Sequence, residues 1–142
     1  MLECRKAQSS PPLYNHFSHD FKVEVAPFDV NENFTDDNHA ASVSSDLNLI
    51  TETLNQAGAE MVEWAGKNGM LISAPKSTVT WFTPWTKQVN TQLNVSIDNA
   101  PVPTEKNPRL FGVTLDTMFT FSQHSTIIAK KASSRLNIES AG

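Results

Sequence analysis

One cysteine, one tyrosine, five glycines and a charged fraction of only 18% mark what this chain of 142 residues has little of. Cys4 has no second cysteine to pair with, which excludes an internal disulfide and argues against a cysteine-built zinc site. No apolar run reaches the ~20 residues that a bilayer crossing needs. Met1-Leu2-Glu3-Cys4-Arg5-Lys6 lacks the apolar stretch of a secretory leader. These absences lead to the expectation of a soluble intracellular protein without a membrane partner, nuclear or cytoplasmic placement being left open. The net charge of −4 argues against wrapping nucleic acid through bulk electrostatics alone. What remains, 39% apolar residues over this length, suits one modest domain with its own core.

The charge is unevenly spread. Residues 1–71 carry four Lys/Arg against eleven Asp/Glu, and residues 72–142 carry seven against four. An acidic front and a basic back would suit a metal-binding half joined to a phosphate-contacting half; chance unevenness is the plainer account.

Local pattern gives the elements. Residues 1–12 read as loop, closing on Ser9-Ser10-Pro11-Pro12. Leu13 to Phe17 fits a short helix. Phe21 to Val25 alternates like a strand, with Pro27 and Asn31-Glu32-Asn33 as breakers. His39 to Ser44 makes a second small-residue strand, so that a hairpin would carry Asp36-Asp37 near its turn. The clearest element is a helix from about Asp46 to Asn68, capped by Ser45. Its apolar stripe is Leu47, Ile50, Leu54, Ala57, Met61 and Ala65, and Asn68-Gly69 is its left-handed stop. Beyond it, Thr78–Thr83, the strictly alternating Leu93–Ile97 and Arg109–Leu115 read as strands, and Asp98-Asn99-Ala100-Pro101 as a turn. Helical spacing returns over 124–138.

Several stretches, taken in order, carry more than secondary structure. They are Ser10-Pro11-Pro12-Leu13-Tyr14-Asn15 with Asp20; Phe34-Thr35-Asp36-Asp37; Glu63-Trp64-Ala65-Gly66-Lys67-Asn68-Gly69 running on to Lys76-Ser77-Thr78; and Leu110-Phe111-Gly112-Val113-Thr114-Leu115-Asp116 followed by Thr120-Phe121-Ser122-Gln123-His124. Together, from about residue 10 to 138, they resemble the reverse transcriptase of non-LTR (LINE-like) retrotransposons, over the back of its palm and the start of its thumb.

The resemblance implies an α+β fold: a partial palm of antiparallel hairpin and strands packed with a long helix over 13–123, entering a helical thumb at 124–142. It implies RNA-directed DNA polymerase ancestry, with an RNA template and DNA primer as partners. Asp36 and Asp37 would be the catalytic and metal-holding carboxylates, because two divalent ions ~3.5–4 Å apart neutralise the attacking and leaving oxygens of phosphoryl transfer. Magnesium or manganese is the implied cofactor, but only if an upstream segment completes the site. Lys76 would meet the incoming nucleotide, Leu110-Phe111-Gly112 the primer grip, and Lys130, Lys131 and Arg135 nucleic-acid phosphates.

The chain also departs from the family pattern. Residues 1–12 offer no candidate for the first catalytic aspartate, Arg5-Lys6-Ala7-Gln8-Ser9 stands where Pro-Gln-Gly is expected, and Phe34-Thr35 replaces Tyr-Ala. The expectation is therefore a truncated, degenerate copy, inactive alone and partnered by the missing upstream half. The alternative is a non-catalytic nucleic-acid- or protein-binding remnant that uses the basic C-terminal helix. A histidine metal site from His16, His19 and His39 with Asp20 is a third, weaker reading.

Overall fold

A computed structural model describes residues 1–5, 30–34 and 37–139. The chain is α+β, and its contacts divide it into two units, Met1–Trp81 with Gln92–Glu105 and Phe82–Thr91 with Lys106–Gly142.

The first unit is organised by one long helix, α1, over Leu47–Lys67. Asp46 caps it, its carboxylate accepting the Asn48 N–H at 2.9 Å, while the Ser44 hydroxyl accepts the Asp46 N–H at 3.0 Å. The cap thus falls one residue later than the expected Ser45. The end is as read. Gly69 takes φ +67, its N–H reaches the Gly66 carbonyl at 3.2 Å, and the Met70 N–H reaches that of Ala65 at 2.8 Å. That double bond pattern satisfies carbonyls the helix leaves open, and it needs a left-handed residue that glycine supplies without strain. The expected stripe is the buried one: Ile50, Leu54, Ala57, Met61 and Ala65 are shut from water and Leu47 packs at the margin.

Beneath α1 lies an antiparallel sheet with strand order β2-β3-β1-β4 among the described residues, made of β1 (Leu2–Arg5), β2 (Val30–Phe34), β3 (Asp37–Ala41) and β4 (Thr78–Val79). Two expectations are corrected here. Leu2–Arg5 is not loop but the strand between β3 and β4. The partner of β3 is Val30–Phe34, which includes the supposed breakers Asn31-Glu32-Asn33. Phe34 pairs with Asp37 across two intervening residues, and such close pairing overrides the weak strand propensity of asparagine. The short helix expected at 13–17 and the strand at 21–25 lie outside the described residues.

The rest of the first unit closes the core. Leu93, Val95 and Ile97 are buried and Asn94 and Ser96 exposed, so the alternation read from the sequence holds, although only Ser96–Ile97 (β5) pairs as a strand, with Ala100–Pro101 (β6), the Val102 N–H adding one bond to the Val95 carbonyl at 2.9 Å. Asp98 and Asn99 turn the chain between them with φ +49 and +60, which matches the twist of a two-residue hairpin. Asn55 ties this hairpin to α1: its Nδ2 donates to the Asn94 carbonyl at 3.1 Å and its Oδ1 accepts the Ser96 N–H at 2.9 Å. Ala40, Ala74, Val79 and Val102 complete the core around the helix stripe, with Trp64 and Trp81 packed against it.

The second unit is built differently. The expected strand Arg109–Leu115 folds back on itself: Arg109–Leu110 (β7) pairs with Val113–Thr114 (β8) across Phe111 and Gly112, whose φ values are +48 and +84. A flat strand is impossible with two successive left-handed residues. Helix α2 spans Ser122–Glu139, but only His124 and Ile127 are half-buried over 122–136. Among the described hydrophobic residues of this unit, Leu115 alone is buried.

Candidate functional site

Asp37 opens β3, with Phe34 as its Cα partner on β2 and Arg5 on β1. Thr35 and Asp36, between them, lie outside the described residues. Asp37 stands at the junction of two antiparallel strands that only residues 35 and 36 separate. Lys76 ends the 3-10 turn Ala74–Lys76 and is exposed. That turn leads into β4, whose Thr78 pairs with Glu3, and it packs against β1. Because β3 and β4 both run antiparallel to β1, Asp37 and the 74–76 turn approach the same end of the sheet, the end marked by Arg5. Sequence reasoning named both residues without seeing that one strand, β1, would lie between them.

The remaining candidates belong to the second unit. Leu110 is half-buried in β7, Phe111 is 56% exposed in the β7–β8 turn, and Gly112 is open enough that an added Cβ would meet nothing within 4 Å. Glycine is therefore present here for its φ of +84 and not for close packing. Lys130, Lys131 and Arg135 all lie on α2 and are exposed.

Of the histidine set, His39 is buried in β3, with Glu3 and Glu32 as its Cα partners on either side. His16, His19 and Asp20 lie outside the described residues.

The segment Asp116…Thr120-Phe121-Ser122-Gln123-His124 carries part of the family resemblance, which assigns its members no individual role. The structure gives them a local one. Asp116 folds its carboxylate onto the following turn, accepting the N–H groups of Phe121 at 2.7 Å, Thr120 at 3.0 Å and Met118 at 3.2 Å. The Thr120 N–H foremost, with the Thr120 hydroxyl and the Phe121 and Met118 N–H groups, holds this carboxyl below its ordinary range against a weaker desolvation cost. An aspartate a few residues before a serine that opens a helix is the sequence signal for such a turn.

His124, from the first turn of α2, accepts the Thr114 N–H on Nδ1 at 3.2 Å and so fastens the helix to the β7–β8 hairpin. His124→Leu is expected to speed hydrogen exchange of the Thr114 amide about fivefold, the equivalent of one hydrogen bond of about 1 kcal/mol. His124→Asn, which can offer an oxygen in place of Nδ1, should keep most of the protection. Equal protection in all three proteins would show that the bond does not hold the hairpin.

No protein-family model, curated protein or solved structure matches the chain.

Proposed function

We propose that this chain is a fragment of a non-LTR retrotransposon reverse transcriptase, catalytic in ancestry and inactive alone. The single observation that supports the reading is the tight β2–β3 pairing, in which Phe34 opposes Asp37 with only residues 35 and 36 between them. Adjacent carboxylates at such a junction offer hard oxygen ligands to magnesium or manganese. A lysine approaching the same end of the sheet, Lys76, suits a triphosphate.

The reading is tested with the 142-residue chain and manganese. Substoichiometric Mn²⁺ should broaden the amide resonances of residues 34–39 selectively, and Asp36→Asn should remove that effect. The unmodified chain should extend no primer, because the carboxylate expected upstream is lacking. Broadening shared evenly among all carboxylates would defeat the metal-site reading, and robust extension abolished by Asp36→Asn would defeat the claim of inactivity.

A second reading is favoured by the exposure of Lys130, Lys131 and Arg135 on a helix with no buried stripe over 122–136: a non-catalytic remnant that holds nucleic acid through its second unit. Residues 82–91 and 106–142 contain six Lys/Arg against two Asp/Glu, and the carboxylate of Asp116, one of the two, is turned to backbone N–H groups.

A further inference from the structure

The second unit displays aromatic rings where a folded chain ordinarily hides them. Phe119 and Phe121 are 50% and 45% exposed, and each occupies the left-handed region, at φ +53 and +57. Bulky residues avoid that conformation, and it persists only where surrounding bonds impose it. Here the imposing group is Asp116. By gathering the N–H groups of 118, 120 and 121, its carboxylate bends the backbone twice.

The rings are also ordered. Phe82 stacks on Phe119 with centroids 4.4 Å apart and planes within 20°, and Phe119 stands 6.5 Å from Phe121 at 43°. The residues flanking Phe119 and Phe121 in the chain, Met118, Thr120 and Ser122, line an open cleft of about 500 Å³ together with Asn107, Thr117 and Gln123, a set rich in amide and hydroxyl donors. Asp116 also lines that cleft.

From these observations we infer that the Phe82–Phe119–Phe121 ladder is a stacking platform for the unpaired bases of a single-stranded nucleic acid, whose polar edges the adjacent cleft receives. The inference rests on the second reading above, that this unit holds nucleic acid. Charge favours that occupant over an apolar protein partner, since the unit is strongly basic in composition. Ring exposure selects the single strand, because bases inside a duplex are already stacked on one another and present no free face. Stacking is indifferent to base identity, so little sequence preference is expected.

The test is fluorescence anisotropy with a labelled twelve-nucleotide single strand and a hairpin duplex of equal charge. Four variants are compared: Phe119→Gly, which removes the ring and relieves the φ strain, Phe121→Ser, Phe119→Trp, and Lys130→Ala/Lys131→Ala/Arg135→Ala. Phe119→Gly should weaken single-strand binding about tenfold and leave duplex binding unchanged, while Phe119→Trp retains the single strand. Amide spectra of each variant check that the unit keeps its fold, and Phe121→Ser, the second ring deletion, keeps the test decisive should Phe119→Gly unfold. If the triple variant loses binding but both ring deletions keep it, the platform is wrong and the nucleic-acid reading survives. If the unmodified chain binds neither oligonucleotide at low salt, both fail.

Discussion

Leu54→Ala is expected to lower the unfolding free energy of the first unit by about 3 kcal/mol, a shift of about 150-fold in its folding equilibrium. Leu54 is 1% exposed in the middle of the α1 stripe, in one cluster with Ala57, Met61, Val79 and Ile97. Truncation removes its transfer free energy and leaves a cavity whose walls come from helix, sheet and hairpin together, so none can collapse alone. Leu49 lies five residues earlier on the same helix and is 51% exposed. Leu49→Ala should change stability by no more than about 0.5 kcal/mol. Urea denaturation of the two variants beside the parent decides the matter. Similar losses from both would mean that α1 does not bury the face described here. A unit of this size holds only some 5–15 kcal/mol of stability, so the loss from Leu54→Ala is large enough to read directly.

The same helix explains why much of the first unit was legible in the sequence. Six apolar residues at three- and four-residue spacing leave few ways to bury a stripe, and Asn68-Gly69 can stop a helix by local bonds alone. Leu93, Val95 and Ile97 were legible for a similar reason, since a period of two assigns faces even where ladder bonds are few. The sheet was less legible because its register depends on partners distant in sequence. Leu2-Glu3-Cys4-Arg5 does alternate apolar and charged residues, but four residues are too short a period-two signal to separate strand from loop, and the segment is a strand because β3 and β4 flank it. Asn31-Glu32-Asn33 reads as a breaker by propensity, yet it is held in β2 by pairing with Asn38-His39-Ala40.

The candidate site divides along the same line. Asp36-Asp37 was anticipated beside a hairpin turn because short acidic segments between strands favour turns, and the observed β3 begins at Asp37. That Lys76 approaches the same sheet end as Asp37 depends on β1, which the sequence did not reveal. The β7–β8 hairpin was missed because a glycine inside an apolar run reads as a strand residue, whereas Phe111 must accompany Gly112 into the left-handed region for the chain to reverse. The role of Asp116 was less legible because its partners are backbone N–H groups, which every sequence carries at every position, so that the aspartate before a helix-opening serine is the one local signal of the turn.

The first unit should also gain stability as pH rises from about 6 to about 8, through the α-amino group of Met1. In the 142-residue chain this group donates to the Thr80 carbonyl at 2.8 Å, while the Met1 carbonyl accepts the Thr80 N–H, also at 2.8 Å, extending the β1–β4 ladder by one pair. Burial pushes the amine down from 8.0 to about 6, because a charged ammonium gives up water there and the carbonyl replaces only part of it. Below pH 6 the amine is charged in both folded and unfolded chains, and the folded state bears the full desolvation cost. Above pH 8 it is neutral in both and that cost is gone. Between the two, the unfolded chain binds more protons, so stability rises with pH, by about 2–3 kcal/mol for a depression of two units. Urea midpoints at pH 5.5 and 8.5 measure the gain, and an Nα-acetylated chain isolates its source. Acetylation leaves every carboxylate and histidine in place but removes the titrating amine, so the gain should shrink by that amount. Equal pH dependence in the free and acetylated chains would mean that the Met1 amine remains hydrated and that the ladder ends at Leu2 and Val79.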